Sequence, residues 1–114
     1  MPRIEDMEFA RLVSDGKVYR APCLVYRNSV DGRWWRKDGG RFLPEDFTAV
    51  IDAKPECIVL GTGIMNKVEV TDETIAHLQS CGASVEVLDS KEAAARYNQL
   101  FAAGKDVVGA FHLM

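Results

Sequence analysis

The hydrophobic positions change their period near the middle of the chain. Up to about residue 43 they alternate with polar residues in short runs separated by Gly, Asp and Ser. This is the pattern of strands that bury one face, joined by turns. "EFARLV" reads as a strand, and "SDG" as a hairpin turn because Gly16 can take positive φ. "KVYRAPCLVYRN" reads as the returning run, with Pro22 marking an edge strand or a bulge. "NSVDG" is another turn, "RWWRK" a short strand, and Asp38-Gly39-Gly40 a further turn.

From Pro44 onward the spacing is helical or continuously apolar. Pro44 suits the first helical position, with Glu45 and Asp46 favourable in the first turn. Phe47, Val50 and Ile51 share one face, and Pro55 stops the helix. "CIVL" is apolar on both faces, as in a central strand. Thr71 is expected to cap the next helix, with Asp72 and Glu73 near its positive end and Gly82 closing it. "SVEVL" alternates and predicts a half-buried strand. Ser90 is expected to cap a third helix, whose stripe is Ala93, Tyr97, Leu100 and Phe101, with Gly104 at its end. "DVVGAFHL" is a last, mostly apolar strand. The order from Cys57 is strand, helix, strand, helix, strand. Two right-handed crossovers then give a small parallel sheet, which the N-terminal strands extend or pack beside.

The 114 residues suit one domain, 1–114, long enough for a core of its own. Hydrophobic residues at 47% and charged residues at 27% place the chain among ordinary globular proteins. A net charge of -3 disfavours general nucleic-acid binding, which draws on a basic surplus. No apolar run approaches the roughly 18 residues of a membrane span. "MPRIEDMEF" lacks the order of a secretory signal and is too acidic for a mitochondrial presequence. Cys23, Cys57 and Cys81 are odd in number and have no CxxC spacing. A reducing cytoplasm is therefore expected, rather than a disulfide framework.

Two stretches carry candidate chemistry. Gly61-Thr62-Gly63 follows a buried strand, at the carboxyl end where open α/β sheets bind ligands. It departs from known phosphate loops. Position 66 is Asn where a dinucleotide fingerprint has Gly, and Asn66-Lys67-Val68 lacks the Gly and hydroxyl of a P-loop. The next helix is expected only near Thr71, so most of the anion-binding field is missing. A plain tight turn and a site for a small ligand or partner both remain open. In "GRWWRKDGGR", adjacent Trp side chains in a strand point to opposite faces. One of Trp34 and Trp35 is then core, and the other is exposed beside Arg. That is a solvated rim or a protein-binding hot spot, and less readily a stacking platform for single strands. His112 ends the last strand with no acidic neighbour in sequence, and His77 is expected to face solvent. Neither belongs to a zinc-like cluster. Asn98, at the margin of its helical stripe, is expected to bond a neighbouring loop, with the Gly-Thr-Gly turn as one candidate.

Taken in order, "RWWRKDGGRFLPEDF", "IVLGTGIM" and "GASVEVLDSKEAAARYNQLFAAGKDVVGAFHLM" resemble the Mth-type domain family. That family includes the adipogenesis-associated Mth domain-containing protein and a mitochondrial complex I assembly factor. The ending "VVGAFHLM" after "RYNQL" is most similar to the adipogenesis-associated branch. The resemblance runs from Val18 to the C-terminus. It implies a small three-layer α/β domain with a mixed central sheet, a C-terminal βαβαβ unit and an N-terminal β-hairpin layer. It implies no proven active site. The family's recurring positions correspond to Trp35, Arg36, Gly61, Gly63, Asn98 and His112; with Thr62 and Met65 they make the candidate ligand or partner surface. The expected function is a cytoplasmic, non-catalytic protein-interaction or assembly-helper module. The alternative is a small-ligand or enzymatic site at Gly61-Thr62-Gly63. A protein partner is expected, a small molecule comes second, and nucleic acid and membrane are disfavoured. No cofactor and no metal are expected.

Overall fold

The computed structural model describes residues 3–114. Its first strands, β1 (Ile4–Glu8), β2 (Arg11–Ser14) and β3 (Lys17–Tyr19), form an antiparallel meander. Asp15 and Gly16, at φ 51° and 75°, make the two-residue turn between β2 and β3. Positive φ at both positions matches the twist of the flanking strands. A second turn splits "EFARLV": Phe9 and Ala10 leave the strand, and Ala10 takes φ 57°. No Gly, Pro, Asn or Asp announces that turn, so the expected single strand is in fact two strand ends.

β4 (Cys23–Val25) follows Pro22 and is not an edge strand, because β5 (Val30–Asp31) lies on one side and β10 (Val107–Phe111) on the other. "RWWRK" is not a strand either. It is irregular backbone between β5 and β6 (Arg41–Phe42). Its donors are satisfied singly: Trp34 N–H donates to Pro22 O at 3.1 Å, and Lys37 N–H to the Asp46 carboxylate at 3.1 Å. Backbone groups need partners, and isolated ones replace the ladder here.

The second half follows the expected order. A 3₁₀ turn at Pro44–Phe47 leads into α1 (Thr48–Ala53), then β7 (Cys57–Gly61), β8 (Glu69–Val70), α2 (Asp72–Gln79), β9 (Ser84–Leu88), α3 (Ser90–Ala102) and β10. Thr71 caps α2, its side chain accepting from Thr74 N–H. The cap of α3 is Asp89, which accepts from Glu92 N–H at 2.9 Å. Ser90, the expected cap, is instead the first helical residue and fully buried.

The central sheet runs β5-β4-β10-β7-β9, antiparallel across β5-β4-β10 and parallel across β10-β7-β9. This is the mixed sheet with a βαβαβ unit, and the meander forms a further layer. Alternation sorts the core onto two faces. Val59, Val107 and Phe111 pack with Tyr97 of α3 and with Ile4 and Leu12 of the meander. Ile58, Leu60 and Val108 pack with Phe42, Phe47 and Leu78. β7 and β10 are buried at every position, which is why their sequences do not alternate. A Cβ at Gly109 would collide with the Phe111 ring and lie 3.1 Å from Tyr97. The glycine thus makes room for the edge-on contact of those rings, with centroids 6.3 Å apart. Among the described residues no helix is long and apolar enough to cross a membrane.

Candidate functional site

Parallel pairing in register brings the carboxyl ends of β7, β9 and β10 together, with Gly61 opposite both Leu88 and Phe111. The Gly61-Thr62-Gly63 turn sits at this edge. Its donors are directed inward. Thr62 N–H donates to Leu88 O at 2.9 Å, Met65 N–H to Met114 O at 2.8 Å, and Asn66 N–H to Gly63 O at 3.1 Å. Gly63 N–H donates to Ser90 Oγ at 2.9 Å, and that hydroxyl donates to His112 O at 2.5 Å. The Thr62 hydroxyl bonds Leu88 O at 3.1 Å and also meets the Asn66 side chain. An anion cradle needs N–H groups that point outward, and these do not. The glycines serve close packing. A Cβ at Gly61 would come within 2.8 Å of both the Phe111 ring and Ser90 Oγ. Gly63, at φ 108°, lies so close to the C-terminal segment that a Cβ would be 2.9 Å from Met114 O and 3.0 Å from His112 Cδ2.

The irregular 33–37 loop approaches the same edge. Trp34 is 6% exposed, donates its indole N–H to Asp46 O at 3.0 Å, and packs against Phe42 and Phe47 at 5.2 and 5.3 Å between centroids. Its neighbour Trp35 is 76% exposed. Arg36 turns back inward. Its Nη2 lies 2.9 Å from His112 Nδ1, and its guanidinium lies over the rings of Trp34 and Phe42 at 5.6 and 5.5 Å. Arginine offers only donors, so Nδ1 accepts and the imidazole proton sits on Nε2. Burial, and then the Arg36 cation, hold the imidazole below its ordinary 6.5, so it is neutral at pH 7.

Asp46 organises this loop. Its two carboxylate oxygens accept from Lys37 N–H and Leu43 N–H at 3.1 and 2.9 Å, and its carbonyl takes the Trp34 indole. Parallel pairing of β6 with β8, aided by Glu69 N–H to Gly40 O at 2.9 Å, ties the loop to the chain leaving the Gly-Thr-Gly turn.

The fold thus joins Arg36, Gly61, Thr62, Gly63 and His112 through contacts and backbone bonds. Met65, 56% exposed, reaches the group through its N–H bond to Met114, itself 52% exposed. Trp35 stands next to Arg36 in the chain. Asn98 does not join them. It clasps β1, with Ile4 N–H donating to Oδ1 at 3.0 Å and Nδ2 donating to Ile4 O at 2.7 Å, and it lines a concavity of about 270 Å³ between β1 and α3. Sequence reasoning missed the roles of Ser90 and Asp46. Ser90 resembled an ordinary cap, and Asp46 an ordinary first-turn acid. His77 is exposed on α2. Cys23, Cys57 and Cys81 are free thiols, and burial followed by Asp31 pushes Cys23 up to about 12, which keeps it protonated. Among the described residues no group of three or more His, Cys, Asp or Glu could hold a metal ion.

A family model described as "Protein of unknown function (DUF498/DUF598)" matches residues 4–112. Among solved structures the chain is similar to one named MT938, with 24% identity, a TM-score of 0.83, and coverage of 100% of this chain and 99% of that one. It is similar to a conserved hypothetical protein from Pyrococcus horikoshii, with 18% identity, a TM-score of 0.86 and 98% of each chain covered. A Bordetella pertussis protein described as an Mth938-like domain matches with 19% identity and a TM-score of 0.70 over 98% of this chain and 85% of that one.

Proposed function

As a chain that belongs to the DUF498/DUF598 family and carries the Mth938-like fold, it acts, we propose, as a non-catalytic protein-interaction module. Its docking face is the edge formed by Trp35, Arg36, His112 and Met65. The observation that carries this reading is Trp35, an indole left 76% exposed next to a sealed tryptophan. Exposed Trp beside Arg is the chemistry of interface hot spots. Met65 and Met114 add flexible apolar surface suited to a partner. The inward donors of the turn favour docking onto this edge over enclosing a small molecule. The finer role of an assembly helper rests on resemblance to the adipogenesis-associated and complex I assembly branches. A cytoplasmic setting is in keeping with the three free thiols.

The test is affinity purification with wild type, Trp35→Ala and Arg36→Ala, each first matched for folding. The proposed face requires that partners retained by wild type be lost from both variants. Equal recovery removes it. A small-ligand site at the Gly-Thr-Gly turn is the second reading, favoured by its place at the ends of three parallel strands. It requires a compound that raises Tm in wild type and not in Gly63→Val, and an empty metabolite screen counts against it.

A further inference from the structure

Two sheet edges open onto one concavity. β3 is an outer strand of the meander, and β5 an outer strand of the central sheet. No backbone hydrogen bond joins them among the described residues. They border a groove of about 450 Å³ whose lining includes Val18 of β3 and Val30 of β5. Strand register fixes which backbone groups face outward. In an antiparallel ladder, residues alternately bond the neighbouring strand and point both N–H and C=O away from it. Ser14 and Lys17 flank a two-residue turn, where such hairpins place a bonded pair. Val18, one step on, therefore directs its N–H and C=O away from β2, and it is 46% exposed. Tyr26 N–H donates to Ser29 O at 2.8 Å across the β4–β5 turn, so Val30 likewise directs its two groups away from β4. The Tyr19 ring spans the gap between the edges: a Cβ at Gly32, just past β5, would lie 2.5 Å from it.

An unpaired edge is a template for another strand, and natural sheets guard such edges. The guard here is charge. Lys17 and Arg33 line the groove, with Asp31 the one acid beside them. Asp31 accepts from Arg33 N–H at 3.0 Å, and neither Lys17 nor Arg33 forms an ion pair among the described residues. This positive surplus is local, since the whole chain carries a net charge of -3. A second copy would bring the same two cations to the edge, and like charges across a ladder repel. A strand that carries carboxylates meets the opposite field. We propose that the β3–β5 groove receives an extended, acidic segment of a partner protein. The segment adds as a strand to β3 at Val18 and sets its carboxylates against Lys17 and Arg33. β5 walls the other side and offers the free N–H and C=O of Val30. Main-chain bonds supply the affinity in this mode of recognition, and side chains the selectivity. The groove shares no residue with the Trp35 face, so it is tested independently of that reading.

The experiment selects a phage-displayed library of random heptapeptides on the immobilised full-length chain. The enriched peptide is then titrated into the isotope-labelled chain and followed by NMR. The expected result is enrichment of sequences that combine Asp or Glu with β-branched residues, and saturable amide shifts at Val18 and Val30. Val18→Pro removes a donor that the fold leaves free, at an edge position where proline is tolerated. It should keep the unfolding midpoint and weaken the peptide at least about tenfold. The double variant Lys17→Glu with Arg33→Glu should weaken it as much through charge, and it serves if the proline variant does not fold. No enrichment, a neutral or basic consensus, or affinity unchanged in these variants overturns the proposal. Shifts confined to the Trp35 face overturn it as well and leave the interaction reading standing. Self-association that moves the groove amides without peptide overturns the acidic partner in favour of a second copy. If the peptide binds the groove and Trp35→Ala keeps every partner, the Trp35 face fails and the groove stands.

Discussion

Two segments meet at the carboxyl edge of the sheet and are built in opposite ways. In the Gly61-Thr62-Gly63 turn the backbone donors of Thr62 and Gly63 are satisfied within the chain, and both glycines exist because Phe111, Ser90 and the C-terminal segment press against them. In the 33–37 loop one indole is sealed under two Phe rings, the next stands in solvent, and the enclosed Nε of the following guanidinium has no hydrogen-bond partner among the described residues. The segment with a motif-like sequence is the structural one. The segment without a motif holds the unmatched groups. Function is better sought where polar and apolar groups remain unsatisfied than where glycines cluster.

The contrast can be broken at its firmest point by Gly63→Val. The residue would have to hold φ 108° with its Cβ 2.9 Å from Met114 O, so a loss of about 3 kcal/mol or more is expected in urea unfolding. A loss under about 0.5 kcal/mol would mean that the turn is not the tight junction described. Ser90→Ala comes next. It strands Gly63 N–H and His112 O in a buried place and should reduce stability by about 1–3 kcal/mol by the same measurement.

A smaller effect sharpens the link between the two segments. The folded-state value of His112 lies below its ordinary 6.5, so the folded chain resists a proton that the unfolded chain accepts. The associated stability is complete above pH 6.5 and declines as pH falls through the window beneath it, levelling once the folded form is also protonated. Solvent screening of a half-exposed ring keeps this effect smaller than the two above. Unfolding curves from pH 7.5 to 5.5 should show the decline in wild type and lose it in His112→Gln. At the far end of the scale, Trp35→Ala should leave stability within about 0.5 kcal/mol, because the indole is mostly in water.

Much of the architecture was legible because period and punctuation agreed. The unbroken "CIVL", the Thr71 cap and the alternating "SVEVL" each led to the observed element. The turn at Ala10 was hidden because a non-glycine residue takes φ 57° there. "RWWRK" looked like a strand, yet its donors go to Pro22 and Asp46, which are distant in sequence. The inside–outside contrast of Trp34 and Trp35 was foreseen, and it holds without the strand that motivated it. The Arg36–His112 contact joins residues 76 apart, and no local pattern encodes it. Asn98 was assigned to the wrong neighbourhood for the same reason, since its partner Ile4 lies 94 residues away.

The most direct measurement pairs stability with partner retention for Trp35→Ala against wild type. The account predicts the same unfolding midpoint and an affinity for the recovered partner reduced by about 2 kcal/mol, or some thirtyfold. An unchanged midpoint with undiminished affinity would contradict it.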